Sequence, residues 1–87
     1  MEFIKMNNQV IAIIKKIGLL IRATRLNKKM TINSVSDATG IHRNTISKIE
    51  NGIYDCQLSK YLTIFAALEL DLQHVSKLIR SLYILKT

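Results

Sequence analysis

The sequence predicts a compact all-α domain of five helices, on three observations. The chain has 87 residues, enough for one domain with one modest core. It has no proline, three glycines and 48% apolar residues, which suits packed helices better than a sheet protein or a disordered tail. Its apolar residues recur at three- and four-residue steps, in segments separated by turn signals. No repeat, linker or low-complexity stretch divides the sequence, so residues 1–87 are read as a single domain.

The first helix is expected from about Asn8 to Asn27, after a start that carries little signal. Ile14, Ile17, Leu20, Ile21 and Ala23 or Thr24 keep helical spacing there. Asn7 or Asn8 can cap its start, and Lys28-Lys29 suits the negative end of its dipole. Its first turns, with Val10, Ile11 and Ile13, hold more apolar surface than one stripe needs. Lys15 and Lys16 interrupt the run well short of the ~20 residues of a membrane helix, and no cleavage site follows. The expectation is a soluble helix with no membrane partner.

Thr31 is a good N-cap for a second helix over Ile32 to Thr39. Gly40 supplies the positive φ that stops this helix and lets another begin within a few residues. The third helix, from about His42 to Asn51, points Ile46 and Ile49 inward, with Ile41 just before it. His42, Arg43, Asn44, Ser47 and Lys48 face outward. Two short helices joined this way form a helix-turn-helix with an exposed reading face. Ser36 must be small because the two helices cross closely there. Asn51-Gly52 is a stop signal, and a loop through Ile53-Tyr54-Asp55-Cys56 follows. The fourth helix is expected from Leu58 to Leu68, with Leu58, Leu62, Phe65 and Ala66 or Leu68 buried and Ser59 as an alternative cap. Beyond Leu70, the pattern Leu72, Val75, Leu78, Ile79, Leu82, Leu85 with Asp71 as cap predicts an amphipathic fifth helix. Its end, Leu82-Tyr83-Ile84-Leu85, reads equally well as a short strand.

Thirteen Lys and Arg against six Asp and Glu give a net charge of +7, which fits a polyanionic partner, of which DNA is the commonest. The residues opening the third helix are the candidate base readers. Arg43 can clamp guanine O6 and N7, and Asn44 can clamp adenine N6 and N7, each worth about 1–3 kcal/mol of discrimination. Lys48, one turn on, can reach a guanine or a phosphate, and His42 a phosphate or a base. Candidate phosphate contacts are Thr31 with the amides of Ile32 and Asn33, then Thr45, Ser47, Asn51 and Tyr54. Arg22, Lys28, Lys29 and Lys60 add charge nearby. Any one of these side chains alone would read as a solvated helix face; the surrounding motif favours a DNA surface.

The stretch Gly18-Leu19-Leu20-Ile21-Arg22-Ala23-Thr24-Arg25, the helix-turn-helix, and Ile49-Glu50-Asn51-Gly52 together resemble the phage repressor and Cro-like (Xre-type) DNA-binding domains. Arg22, Arg25, Ser36, Gly40, Glu50 and Gly52 fill places that this family's pattern reserves for those residue types. The resemblance spans about residues 17–72 and leaves 73–87 as a dimerisation or partner-binding extension. It implies a lambda-repressor-like fold and an ion pair between Arg25 and Glu50 that ties the first helix to the end of the reading helix. It also implies a homodimer that reads two half-sites about 34 Å apart. One departure stands out. The family usually has glutamine at the position of Ile32, where it touches a phosphate and braces a reader; isoleucine can do neither, and Asn33 is the candidate to take over part of that role.

His42, His74 and Cys56 lack the paired spacing of a metal site, no nucleophile–base grouping or glycine-rich phosphate loop is present, and a non-enzyme without cofactor or metal is expected. One cysteine rules out an internal disulfide and fits a reducing cytoplasm. The apolar surplus on the first and fifth helices either enlarges one monomer core or forms a two-fold interface through Val75, Leu78, Ile79, Leu82 and Tyr83. The second account is preferred. The expected function is a cytoplasmic, homodimeric, sequence-specific transcriptional regulator of double-stranded DNA, repressing by promoter occupancy. The alternative is an antitoxin that binds a toxin protein and autoregulates its promoter.

Overall fold

A computed structural model describes residues 8–53, 57–71, 73, 75–77 and 80. Helix α1 runs Asn8–Asn27, α2 Ile32–Thr39, α3 Arg43–Glu50 and α4 Leu58–Leu68. Residues 73, 75–77 and 80 are helical and belong to a fifth helix, and no strand occurs among the described residues. The fold is all-α, as the sequence predicts. The proposed cap Asn7, the loop residues Tyr54 and Cys56, and the alternative strand over 82–85 lie outside the described residues.

Local chemistry sets most helix ends. Thr31 Oγ1 accepts from the Ser34 amide at 3.0 Å, and Ser34 Oγ accepts from the Thr31 amide at 3.0 Å. This reciprocal capping box satisfies two amides that an eight-residue helix cannot satisfy internally. At the other end Gly40 adopts φ +76°, and its amide donates to the Ser36 carbonyl at 2.8 Å. Asp71 caps the fifth helix, its Oδ1 accepting from the Gln73 amide at 2.9 Å. Gln57, not Ser59, occupies the N-cap of α4, and its side chain makes no capping bond.

Ile21, Val35, Ile46, Ile49, Ile64 and Leu68 are fully buried at the centre, with Ile41, Tyr61, Phe65 and Val75 around them. All five helices contribute to this core. Two expectations need correction. On α4 Phe65 and Leu68 are buried as expected, but Tyr61 and Ile64 complete the inward stripe, while Leu58, Leu62 and Ala66 are exposed. Both stripes have helical spacing and both are apolar, so periodicity could not choose between them; the bulk of Tyr61, Ile64 and Phe65 fills the core. On α1 Ala23 is exposed and Thr24 half-buried, and the most buried positions are Ile13, Gly18, Ile21 and Arg25.

At Gly18 the backbones of α1 and α3 approach too closely for a side chain. A methyl group there would overlap the Ile49 carbonyl oxygen and lie 2.9 Å from that of Glu50. The missing side chain lets the end of the reading helix rest directly against α1. Ser36 plays the small-residue part at the turn, where it is half-buried and its Oγ donates to the Ile41 carbonyl at 2.6 Å.

Candidate nucleic-acid interface

The third helix carries the candidate base readers and is held from behind by buried charge. Arg25 Nε donates to Glu50 Oε2 at 2.7 Å and Arg25 Nη2 to Glu50 Oε1 at 3.0 Å. The third guanidinium nitrogen donates to the Met30 carbonyl at 2.9 Å. Both side chains are buried, and every buried side-chain nitrogen and oxygen among the described residues has a partner. Hydrogen bonding to Glu50 raises the Arg25 pKa above its ordinary value against the opposing effect of burial, so the guanidinium stays charged. The paired geometry is bidentate, and it fixes where the α1–α2 turn sits relative to α3.

That placement opens a groove between the start of α2 and the start of α3. Lys29, Thr31 and Asn33 line one side, and Arg43, Asn44 and Ser47 line the other. Six of the residues expected to touch DNA therefore line one surface, with Arg25 of the ion pair at its base. Arg43 and Asn44 are exposed, and their side chains make no hydrogen bond among the described residues. They are free to meet the hydrogen-bonding pattern of base edges in a major groove. Thr31 and Asn33 stand exposed at the capped start of α2, where free amides and the helix dipole suit an anion.

The remaining candidates fall elsewhere. His42 is exposed but is the N-cap of α3, with Nδ1 accepting from the Asn44 amide at 3.1 Å, so one ring nitrogen is already used within the helix. Lys48 is exposed one turn along α3. Thr45 is half-buried, and Asn51 Nδ2 is turned back onto the Ser47 carbonyl at 2.9 Å. Arg22 is exposed on α1, one turn before Leu26, and Lys60 is half-buried on α4. Lys28 is exposed and pairs with Glu69 Oε1 at 3.6 Å. Val75 is 6% exposed within the protomer's own core, so it is withdrawn from the expected dimer surface. Tyr54, His74, Leu78, Ile79, Leu82 and Tyr83 lie outside the described residues.

Three groove residues escaped the sequence reading as site residues. Leu26, Met30 and Ile32 form an apolar flank beside Lys29 and Thr31. The available signal was Leu26 itself, 52% exposed near the end of α1. For Ile32 the sequence points to its amide and to the glutamine it replaces, not to its side chain. Among the described residues no group of three His, Cys, Asp or Glu is placed to hold a metal ion, and no helix is long and apolar enough to cross a membrane.

A helix-turn-helix family model matches residues 21–75, from the middle of α1 to the start of the fifth helix. No curated protein matches the chain. The matched segment contains the buried Arg25–Glu50 pair, both groove-forming helices and the core that supports them. The chain thus belongs to the helix-turn-helix family of the Xre, lambda-repressor-like type, a family of DNA-binding transcription regulators.

Proposed function

We propose that this protein is a sequence-specific regulator, most simply a repressor, that binds a two-fold operator as a homodimer and reads each half-site with α3. The observation that carries the reading is the groove in which Arg43, Asn44 and Ser47 face Lys29, Thr31 and Asn33. Arg43 and Asn44 offer donors and acceptors suited to base edges, and Ser47, Lys29, Thr31 and Asn33 around them offer groups suited to phosphate. The net charge of +7 supports association with the duplex. Repression by occupancy follows because a protein seated on a promoter excludes polymerase without any further activity.

The test is selection of bound duplexes from a random library at near-physiological salt, with the wild type beside an Arg43→Ala, Asn44→Ala variant. A two-fold symmetric motif that the variant loses or alters is the expected result. Absence of any enriched motif would refute sequence-specific reading. A second reading, an antitoxin with a toxin partner, draws support from Leu58 and Leu62, 70% and 43% exposed one turn apart on α4. Co-purification of a stoichiometric second protein would favour it.

A further inference from the structure

We infer that the solvent face of α1 is a docking surface for an acidic amphipathic helix of another protein. The inference does not depend on base reading by α3, and it is tested without DNA.

Helix α1 turns Ile13, Gly18, Ile21 and Arg25 into the molecule. On its opposite side Leu19, Ala23 and Leu26 are exposed, at the i, i+4, i+7 spacing that makes one continuous stripe. Leu19 is 59% exposed and Leu26 52%, so the chain leaves more than half of each leucine to solvent. At 3.6 residues per turn, Lys15 and Arg22 flank the stripe on one side and Lys16 on the other. All three are exposed, and none joins an ion pair among the described residues. Helix α1 contains no acidic residue at all.

The pairing of leucines with unopposed cations narrows what can cover this face. A duplex would use the cations, but phosphate oxygens gain nothing from two leucines. A second copy of α1 laid on the stripe would set Lys15, Lys16 and Arg22 against their own kind, and like charges facing each other oppose binding. An anionic bilayer calls for a broader apolar face, and α1 lacks the aromatic residues that suit one. A helix with apolar side chains at matching spacing and carboxylates beside them satisfies both features. Its apolar residues cover Leu19 and Leu26, two turns and about 10 Å apart along α1. Its carboxylates meet the three cations at the rim. The face is also firm, because Gly18 lies against the carbonyls of Ile49 and Glu50, and Arg25 is tied to Glu50. A preformed surface loses little motion on binding.

The experiment selects displayed random peptides of about 15 residues, a length at which an isolated helix becomes tenable, for binding to the full chain. Dissociation constants of an enriched peptide are then measured for the wild type and four variants. Enriched peptides should carry Asp or Glu beside apolar residues at i, i+3 or i+4, and i+7. Any basic protein enriches acidic peptides, so the variants decide. Leu19→Gln should weaken binding at least about fivefold. Lys16→Glu should weaken it about threefold or more, and less so at raised salt. Arg43→Ala, and Leu58→Gln with Leu62→Gln, should stay within about twofold, being remote from the stripe. Every substituted position is exposed, and an unchanged melting temperature in Leu19→Gln separates lost docking from lost fold. No enriched helical pattern, or an enriched peptide that tolerates both Leu19→Gln and Lys16→Glu, would overturn the docking face. A peptide that depends on Arg43 instead would belong to the groove and would overturn it too. Binding to vesicles of phosphatidylcholine and phosphatidylglycerol that Leu19→Gln abolishes, with no peptide enriched, would overturn it in favour of a bilayer.

Discussion

Arg25 and Glu50 are the two charges this small core can least lose singly. Their two hydrogen bonds, with the third from Arg25 to the Met30 carbonyl, leave no unpaired polar atom in the pair. Glu50→Ala strands a buried guanidinium, and a loss of about 3–5 kcal/mol is expected, read from the urea midpoint. Replacing both residues, as Arg25→Met with Glu50→Leu, should recover most of that loss, because an apolar pair of similar volume avoids the desolvation of two charges. A Glu50→Ala loss under about 1 kcal/mol would show that water reaches the pair. Gly18 poses the opposite problem. Alanine there gains about 1 kcal/mol of helix propensity, but its methyl would overlap the Ile49 carbonyl, which is backbone of the reading helix and cannot rotate away. Gly18→Ala is therefore expected to cost about 1–3 kcal/mol net, and a more stable variant would mean that α1 and α3 separate easily.

The ends of the elements show what the sequence disclosed and what it concealed. Three helices close with the same pair of bonds. After α1, the Lys29 amide reaches the Leu26 carbonyl and the Met30 amide the Arg25 carbonyl. After α3, Gly52 reaches Ile49 and Ile53 reaches Lys48, and after α4, Glu69 reaches Ala66 and Leu70 reaches Phe65. Each needs a left-handed residue, supplied by Lys29 at φ +58°, Gly52 at +70° and Glu69 at +57°. Only the glycine could be seen in advance. At the other two, the apolar residues that follow, Met30 and Leu70, pack on the core and hold the unfavourable conformation in place. Glu69→Gly removes that strain at the expense of an exposed ion pair with Lys28, itself worth little. A gain of up to about 1 kcal/mol is expected, a rise of roughly 4–8 °C in melting temperature for a domain this small. A lowered melting temperature would mean that the Lys28–Glu69 pair outweighs the strain. The helix bounds and turn of the reading motif were legible because Thr31, Gly40 and Asp71 act through their own local bonds. The inward stripe of α4 was legible only in part: Phe65 and Leu68 are buried as expected, but only packing on the core chooses Tyr61 and Ile64 over Leu58 and Leu62. The groove's polar side was legible from position on α3, whereas its apolar flank joins residues from three segments and exists only once Arg25 has fixed the turn.

At the scale of the whole molecule, one protomer presents one short reading helix, and few base pairs can be distinguished by Arg43, Asn44 and Lys48 alone. Each mismatch costs about 1–3 kcal/mol, so pairing two protomers on two half-sites squares the discrimination that one supplies. Two apolar surfaces compete for the role of interface. One is the stretch beyond Val75 that the sequence alone predicts to be apolar along one face, Val75 itself being committed to the protomer core; the other is the exposed pair Leu58 and Leu62 on α4. Sequence favours the fifth helix, where Leu78 and Leu82 follow Val75 at helical spacing. Leu78→Lys with Leu82→Lys is thus expected to give monomers by sedimentation velocity and to weaken operator binding at least tenfold, since each half-site must then be found separately. Leu58→Lys with Leu62→Lys should leave the sedimentation coefficient of the dimer unchanged. The reverse pattern would move the two-fold interface to α4. A wild type that sediments as a monomer both free and on its operator would sink the dimer altogether, leaving α4 as a surface for a different protein.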